Sequence, residues 1–430
     1  MASNSRESNW VDGLRGIAAF IVVSGHVLTA FAPEIHAPSN AADEPPTLMQ
    51  LPFFRLLIAG RAAVALFFLI TGYVNTLGPL VKAKAAGVDV AFSGLSKNAL
   101  KRPAQLILPA FFATLISWGL ANVGAYKMGK HIDATWIRQG YHAPGTSISS
   151  AIYSLFHAEA STWTEGWNEY DGIQWAMIVL LEGSMIVYLT LLATLPVTPK
   201  ARRVGFLAVY FYGWIAGTAQ KTMNVAFGML LADLHVEVGA DAALLPAPFP
   251  IISLVLGLFL CSFPQDAPDR TAWTRIMVNM MSPITPAEAD IRKYWDSIGA
   301  CLIVLGVYSS PNARRILSHR FFNFLGRVSL PVYLIHNQLM KTVLTWLIYL
   351  PSALNPPVNE QTGEQMDLQR GSSLHMAASV VVFFVITYRL ALVWTKTVDP
   401  LCARIVDRMT KWAYDEEYRP AGGKPVVLPP

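Results

Sequence analysis

The chain has 430 residues, of which 53% are apolar and only 14% are charged. Soluble proteins carry about 25% charged residues, so this composition argues against a water-soluble enzyme. The net charge of +5 comes from 33 basic and 28 acidic residues. Because the basic residues form no dense patch, the sequence also argues against nucleic-acid binding. The composition instead favours the lipid bilayer as the protein's solvent.

Apolar segments near the length of about 20 residues needed to cross a bilayer recur along the chain. They predict an all-α, polytopic membrane protein with about ten transmembrane helices. The predicted spans are residues 14–32, 62–80, 104–123, 173–195, 204–219, 222–236, 244–262, 297–309, 328–350 and 374–395. The three cysteines are widely scattered, which argues against a disulfide framework or a metal site.

The distribution of Lys and Arg predicts the topology of these spans. With both termini in the cytosol, the cytosolic segments hold 20 Lys and Arg residues and the opposite segments hold 11. This bias follows the positive-inside rule, so we expect both termini to be cytosolic. The predicted parts of the chain are a cytosolic N-terminal segment (1–13), a transmembrane domain (14–395) and a cytosolic tail (396–430).

One long segment on the predicted outer side, residues 124–171, is rich in aromatic and acidic residues. Two interpretations are open. It is an interfacial helix with aromatic anchors, as Trp and Tyr at a membrane surface often are, or it is a lid over a substrate pocket.

The first span carries two polar residues that lipid would not tolerate, Arg15 and His26. They are eleven residues apart, which is close to three full turns of a helix, so both side chains leave one face. Their axial separation is about 16 Å. Arg15 is then at the cytosolic mouth and His26 near the middle of the membrane. The alternative is that His26 only bonds a neighbouring helix.

This spacing suits a long donor that has an anionic head and a reactive far end. Acyl-coenzyme A has that shape, because its pantetheine arm separates the phosphates from the thioester. An imidazole in a dry site stays neutral and can accept a proton. His26 is therefore a candidate general base that activates an acceptor hydroxyl to attack the thioester.

The ninth span offers a second polar group. Ser329, Tyr333 and His336 are four and three residues apart and form one helical stripe. On an apolar helix such a stripe must face protein or a water-filled cavity. These residues either polarise the thioester carbonyl or orient the acceptor, or they merely join helices by hydrogen bonds.

Four motifs in chain order resemble the acyltransferase 3 family of polytopic membrane O-acyltransferases. The places where the chain departs from the family pattern resemble the fungal members of the family. The four motifs are DGLRGIAA with His26 (12–26), FFLITGY (67–73), GMLLAD (228–233) and LGRVSLPVYLIH (325–336). The resemblance runs from about residue 10 to residue 395. It implies acyl-coenzyme A-dependent transfer to a hydroxyl of a carbohydrate, lipid or small natural product, with His26 as the catalytic residue.

The resemblance also implies an Arg-x-x-Arg element that helps to hold coenzyme A. Here the matching stretch begins Lys101-Arg102, and Gln105 replaces the second Arg, so we expect Arg15, Lys101 and Arg102 to hold the donor phosphates. A second departure is in the fourth span, where the family's Glu would fall at Leu180 and this chain has Glu182. We expect Glu182 to pair with a cation inside the bundle, with Arg389 as the best candidate.

The sequence therefore predicts a multi-pass membrane O-acyltransferase that uses an acyl-coenzyme A as a co-substrate and has no permanently bound cofactor. Among the acyl-coenzyme A donors, acetyl-coenzyme A is the one that we expect. Its partners would be the donor, a hydroxyl-bearing acceptor and the bilayer. The alternative is a transporter in which intramembrane His, Arg and Glu relay protons or bind substrate. A third interpretation is a helical scaffold whose polar residues only hold helices together.

Overall fold

The protein is an assembly of α-helices, as a computed structural model describes it for residues 9–239, 245–246, 248–358, 361 and 366–414. The helices are α1 (Asn9–Phe31), α2 (Gly60–Ala86), α3 (Val88–Asn122), α4 (Thr135–Gln139), α5 (Ile148–Thr164), α6 (Trp175–Thr194), α7 (Pro199–Ile215), α8 (Asn224–Val238), α9 (Pro248–Leu260), α10 (Ala272–Met281), α11 (Ile291–Tyr308), α12 (Pro311–Leu317), α13 (Arg320–Arg327), α14 (Ser329–Leu339), α15 (Thr345–Leu354) and α16 (Ser373–Ala413). These described residues include no β-strand. The predicted all-α fold is confirmed.

Five helices are long and apolar enough to cross a membrane by themselves. Within the described ranges they are α1, α2, α3, α6 (with the turn that starts at Gly172) and α16. The other predicted spans also coincide with helices, but α7, α8 and α9 have only 17, 15 and 13 residues. The helix α11 has 18 residues but carries Arg292, Lys293 and Asp296. The structure therefore supports five spans, and a count of about ten stays a prediction.

Two of the shorter helices nevertheless present apolar side chains to the exterior. Ile251 and Ile252 on α9 are 67% and 61% exposed, and Phe211 and Ile215 on α7 are 57% and 73% exposed. Contiguous apolar surface of this kind is rare on soluble proteins and marks contact with lipid or another protein. Together with the five apolar helices, it indicates a membrane protein.

The last helix continues past the boundary predicted at residue 395. It is one helix to Ala413, with Pro400 inside it, and its polar second half follows directly on the apolar first half. Residues 1–8 and 415–430, which belong to the predicted terminal segments, lie outside the described residues.

Close contact between α2 and α8 forms the centre of the bundle. A side chain at Gly72 would put its Cβ 2.1 Å from the Val225 carbonyl oxygen, and one at Gly228 would put its Cβ 2.1 Å from the Leu69 oxygen. The two backbones therefore touch, which is the small-residue packing that brings membrane helices together. This contact explains why glycines stand in two of the motifs.

The outer segment contains both a surface helix and a buried acid. On α5, Ile148, Tyr153 and Phe156 are 82%, 72% and 68% exposed, as an interfacial helix requires. Glu159 on the same helix turns inward, and its Oε1 atom has no hydrogen-bond partner among the described residues. Burial raises the pKa of Glu159 to about 7.

We expect Gly72→Ala to lower the melting temperature of the purified protein, because the new methyl group overlaps a main-chain carbonyl that cannot move away. Overpacking of this kind costs about 1–3 kcal/mol. The matched control is Gly119→Ala, because a Cβ at Gly119 on α3 meets nothing within 4 Å. Equal melting temperatures for the two variants would contradict the close contact.

A second prediction concerns pH. Because the pKa of Glu159 is raised in the fold from 4.5 to about 7, its protonated form is favoured, and stability is lost as the pH rises between those values. Glu159→Gln should raise the melting temperature at pH 8 and flatten its dependence on pH from 5 to 8. The exposed Glu165 provides the control, since Glu165→Gln should leave both quantities unchanged.

Candidate functional site

The end of the predicted site that contains Arg15 is built where α1 meets α13. A Cβ at Gly326 would lie 2.0 Å from the Asp12 carbonyl oxygen, so the two backbones are in contact. Arg15 is fixed there by Asp12, whose Oδ1 atom is 2.8 Å from Arg15 Nη2, and by the Gly326 oxygen at 3.4 Å. With 38% of its side chain exposed, Arg15 still has donors free to bind a ligand.

Arg15 lines a cavity of about 480 Å³ between α1, α2, α3, α6, α13, α14 and α16. Two further arginines, Arg102 and Arg327, also line it, so three positively charged residues border one space. Arg102 donates from Nε to the Ser184 hydroxyl at 2.9 Å. Most of the remaining wall is apolar, and an apolar cavity with a few convergent polar groups is the usual form of a small-molecule site.

The structure separates the predicted phosphate-binding residues. Arg15 and Arg102 line the cavity, whereas Lys101 does not: its Nζ atom is 3.5 Å from Asp407 Oδ1 on α16. Gln105, which replaces the family's second Arg, also lines the cavity. Arg327, whose guanidinium has no ion-pair partner among the described residues, completes the cluster and was not singled out by sequence reasoning.

His26 and His336 form a direct pair deep in the bundle. His26 Nδ1 and His336 Nε2 are 2.8 Å apart, and the two ring planes are nearly parallel. His336 is completely buried, and its Nδ1 atom is 2.7 Å from the Tyr333 carbonyl oxygen. His336, the last residue of the polar stripe predicted on the ninth span, therefore faces the first helix.

These contacts fix where the protons are when both rings are neutral. A carbonyl oxygen only accepts, so His336 Nδ1 carries a hydrogen and His336 Nε2 is left as an acceptor. His26 Nδ1 must then donate to it, which leaves the lone pair of His26 on Nε2. The described residues provide no hydrogen-bond partner for His26 Nε2. The arrangement presents one basic nitrogen.

The other two stripe residues use their protons on the main chain. Ser329 donates its hydroxyl to the Gly326 oxygen at 2.8 Å, and Tyr333 donates to the Ile173 oxygen. Both residues line the cavity, but neither histidine does. The Tyr333 ring, whose centroid is 5.8 Å from that of His336, therefore stands between the arginine-lined space and the histidine pair.

The outer segment also contacts His26. Trp136 on α4 lies nearly parallel to the His26 ring, with 5.6 Å between ring centroids. His26 itself is partly exposed and Trp136 is half-buried. The aromatic composition of residues 124–171 could have drawn attention to Trp136, but no spacing in the sequence relates it to His26.

A buried polar network attaches this segment to the helix that carries His336. Asn337 donates to Asp171 Oδ1 at 2.6 Å, and Lys341 donates to the Tyr170 oxygen at 3.0 Å. Asp171 is completely buried, and burial raises the pKa of its carboxyl. Sequence reasoning missed this network, because its partners are more than 160 residues apart in the chain.

The partner predicted for Glu182 was wrong. Its Oε2 atom is 2.6 Å from Lys221 Nζ, and no ion pair joins it to Arg389 in the described structure. Lys221 lies in the turn that leads into α8, which packs beside α6. The local connection between neighbouring helices therefore supplies the cation, and 47% of the Glu182 side chain remains exposed.

Comparison with known proteins identifies the family to which the chain belongs. The profile of the acyltransferase 3 family, described as an acyltransferase domain, matches residues 8–394. The O-acetyltransferase PaAT-1 of Phomopsis amygdali is 25% identical over 96% of this chain and 85% of its own length. Acyltransferases of a Phoma species and of Cochliobolus lunatus are 23% and 22% identical, each over 76% of this chain and 81% of their own lengths. No solved structure matches.

The family match covers both helices of the histidine pair and all three arginines of the cavity. It favours the acyltransferase interpretation over the transporter. The chain belongs to the acyltransferase 3 family and is a membrane enzyme that transfers acyl groups.

Proposed function

We propose that the protein is an acyl-coenzyme A-dependent O-acyltransferase. Its donor is acetyl-coenzyme A, and its acceptor is a hydroxyl group of a small natural product, sugar or lipid. The observation that carries this proposal is the hydrogen-bond order that leaves His26 Nε2 as the one free basic nitrogen of the histidine pair. The fungal relatives, one of them named an O-acetyltransferase, support the choice of acetyl.

The arginine-lined cavity suits the donor. Arg15, Arg102 and Arg327 converge on one space, and guanidinium groups bind phosphate oxygens through paired hydrogen bonds. The pantetheine arm would run from this space along α1 towards Tyr333. Because Arg15 and His26 are about 16 Å apart along the helix, an extended arm places the thioester near the histidine pair. Lys101 adds a fourth positive charge beside the cavity.

The reaction needs no covalent enzyme intermediate. His26 Nε2 takes the proton of the acceptor hydroxyl while that oxygen attacks the thioester carbonyl carbon. The C–S bond then breaks, and the coenzyme A thiolate receives the proton from the His26 imidazolium. The products are the ester and free coenzyme A. His336 is a positioning residue, because it holds His26 Nδ1 in its protonated state and so keeps Nε2 basic.

The two substrates would approach the histidine pair from different sides. The donor cavity lies beyond Tyr333, and Trp136 covers His26 from the outer segment. In this proposal residues 124–171 act as a lid over the acceptor pocket. Trp136 would bound the acceptor pocket, while α5 holds the segment at the membrane surface.

We expect His26→Ala to lower turnover at least about a hundredfold and to leave the melting temperature near that of the wild type. His336→Leu should lower turnover by about tenfold or more, because it removes the acceptor for His26 Nδ1. His336→Gln keeps an amide oxygen that can accept this hydrogen bond, so it should recover part of the loss. Release of coenzyme A from labelled acetyl-coenzyme A measures all three. Full turnover by His26→Ala would exclude it as the base.

A further prediction tests the donor cavity. Arg327→Gln should raise the KM for acetyl-coenzyme A more than it lowers kcat, because phosphate contacts stabilise ground and transition states alike. Gln105→Arg, which adds a cation to the same wall, should lower that KM. The control is Arg404→Gln, since Arg404 is exposed and not part of the cavity wall. If the KM is unchanged in both test variants, the donor does not bind in this cavity.

A further inference from the structure

The far half of α16 forms a wall of the donor cavity. Asp399, Cys402, Val406 and Asp407 all line it and recur at helical spacing, so they share one face of the helix. Residues 396–413 lie beyond the family match, which ends at residue 394. This chain therefore supplies part of its donor site from outside the shared domain.

The length of α16 explains how its far half reaches this position. A helix of 41 residues is about 62 Å long, roughly twice the thickness of the hydrocarbon core. If its apolar half crosses the membrane, the polar half projects on the side of Arg15 and Arg102. Tyr414 next to α16 attaches it to α3 through a 2.6 Å hydrogen bond to Ser96, and Lys97 lies 5.2 Å from the Tyr414 ring.

The charges on this wall are opposite to what a phosphate ligand needs. Asp399 and Asp407 face the same space as the three arginines. Asp407 also pairs with Lys101, with 3.5 Å between Oδ1 and Nζ. The pair is open to solvent, since 30% of the Lys101 side chain and 66% of the Asp407 side chain are exposed. Lys101 is not part of the cavity wall, but its partner Asp407 is, so the ion pair lies at the edge of the cavity, where a phosphate can displace the carboxylate.

Building on the proposed function, we propose that Asp407 competes with the donor phosphates for Lys101 and so sets the affinity for coenzyme A. In the free enzyme the carboxylate holds the ammonium group at the rim of the cavity. A donor with several phosphate charges replaces it, and the carboxylate returns to solvent. Asp407 is thus a specificity-determining residue. It weakens the binding of every anionic donor, and a donor with more phosphate charges displaces it more readily than a donor with fewer.

The test is the Kd for coenzyme A, measured on the full-length protein in detergent at low ionic strength. Asp407→Asn should lower this Kd about two- to fivefold, the size expected for an exposed ion pair. Lys101→Gln should raise it. Asp407→Glu, which keeps the carboxylate, should bind like the wild type. The effect of Asp407→Asn should shrink at 0.5 M salt, because salt screens exposed charges.

The opposite signs distinguish competition from a purely structural contact. If the ion pair only holds α16 in place, then Asp407→Asn and Lys101→Gln both weaken binding, and the proposal is overturned. In the Lys101→Gln background, the effect of Asp407→Asn should be smaller than in the wild type, because only the direct repulsion between the Asp407 carboxylate and the phosphates is then relieved. Asp43→Asn is the matched control, because Asp43 forms an exposed pair with Arg275 elsewhere, 3.1 Å apart, and its Kd should equal that of the wild type.

Failure of the proposed function gives a different result. If the protein does not use coenzyme A, the wild type itself binds none, and Arg327→Gln changes nothing. If the proposed function holds and the inference fails, the wild type binds coenzyme A with an affinity that depends on Arg327, and Asp407→Asn binds as the wild type does or more weakly.

Discussion

The hydrogen bond between His26 and His336 is the contact on which the site depends. An imidazole inside an apolar bundle must have its polar atoms satisfied or reach water, and this pair satisfies three of its four nitrogens. The first link is a main-chain carbonyl of α14, so helix geometry fixes the tautomer of His336, and His336 in turn fixes the tautomer of His26. The packing of α1 against α13 and α14 and the attachment of the outer segment to Asn337 all maintain this one alignment.

The polar groups of the bundle divide into those that hold it together and those that remain open. Asp233 illustrates the first kind: it is completely buried and is neutralised by Arg202 and Arg203. Breaking such a buried cluster leaves an uncompensated charge in an apolar medium. Arg327 and the partly exposed Arg15 illustrate the second kind, because donors on these side chains remain available. Such groups can bind a ligand of opposite charge. The difference between paired and available cations therefore identifies the cavity as the candidate binding site.

The sequence was informative where chemistry depends on spacing within one helix. The stripe from Ser329 to His336 and the shared face of Arg15 and His26 follow from helical periodicity, and the all-α fold follows from composition. The sequence was less informative about contacts between distant segments. Trp136 over His26, Asp407 at Lys101 and Lys221 at Glu182 depend on how helices are arranged, which local periodicity does not encode. The number of spans is open for the same reason, since short helices such as α9 need neighbours to define their depth.

The two sides of the arginine-lined cavity differ in stiffness. On one side the backbones of α1 and α13 touch at Gly326. This wall can therefore move only if the two helices separate. On the other side α16 is held at its end by side chains, Asp407 on Lys101 and Tyr414 on Ser96. Pro400 removes a main-chain hydrogen bond at the start of that half, which is where a helix bends most readily. A bulky ligand would therefore be admitted by movement of the end of α16, while Arg15 and Arg327 on the opposite wall keep their positions.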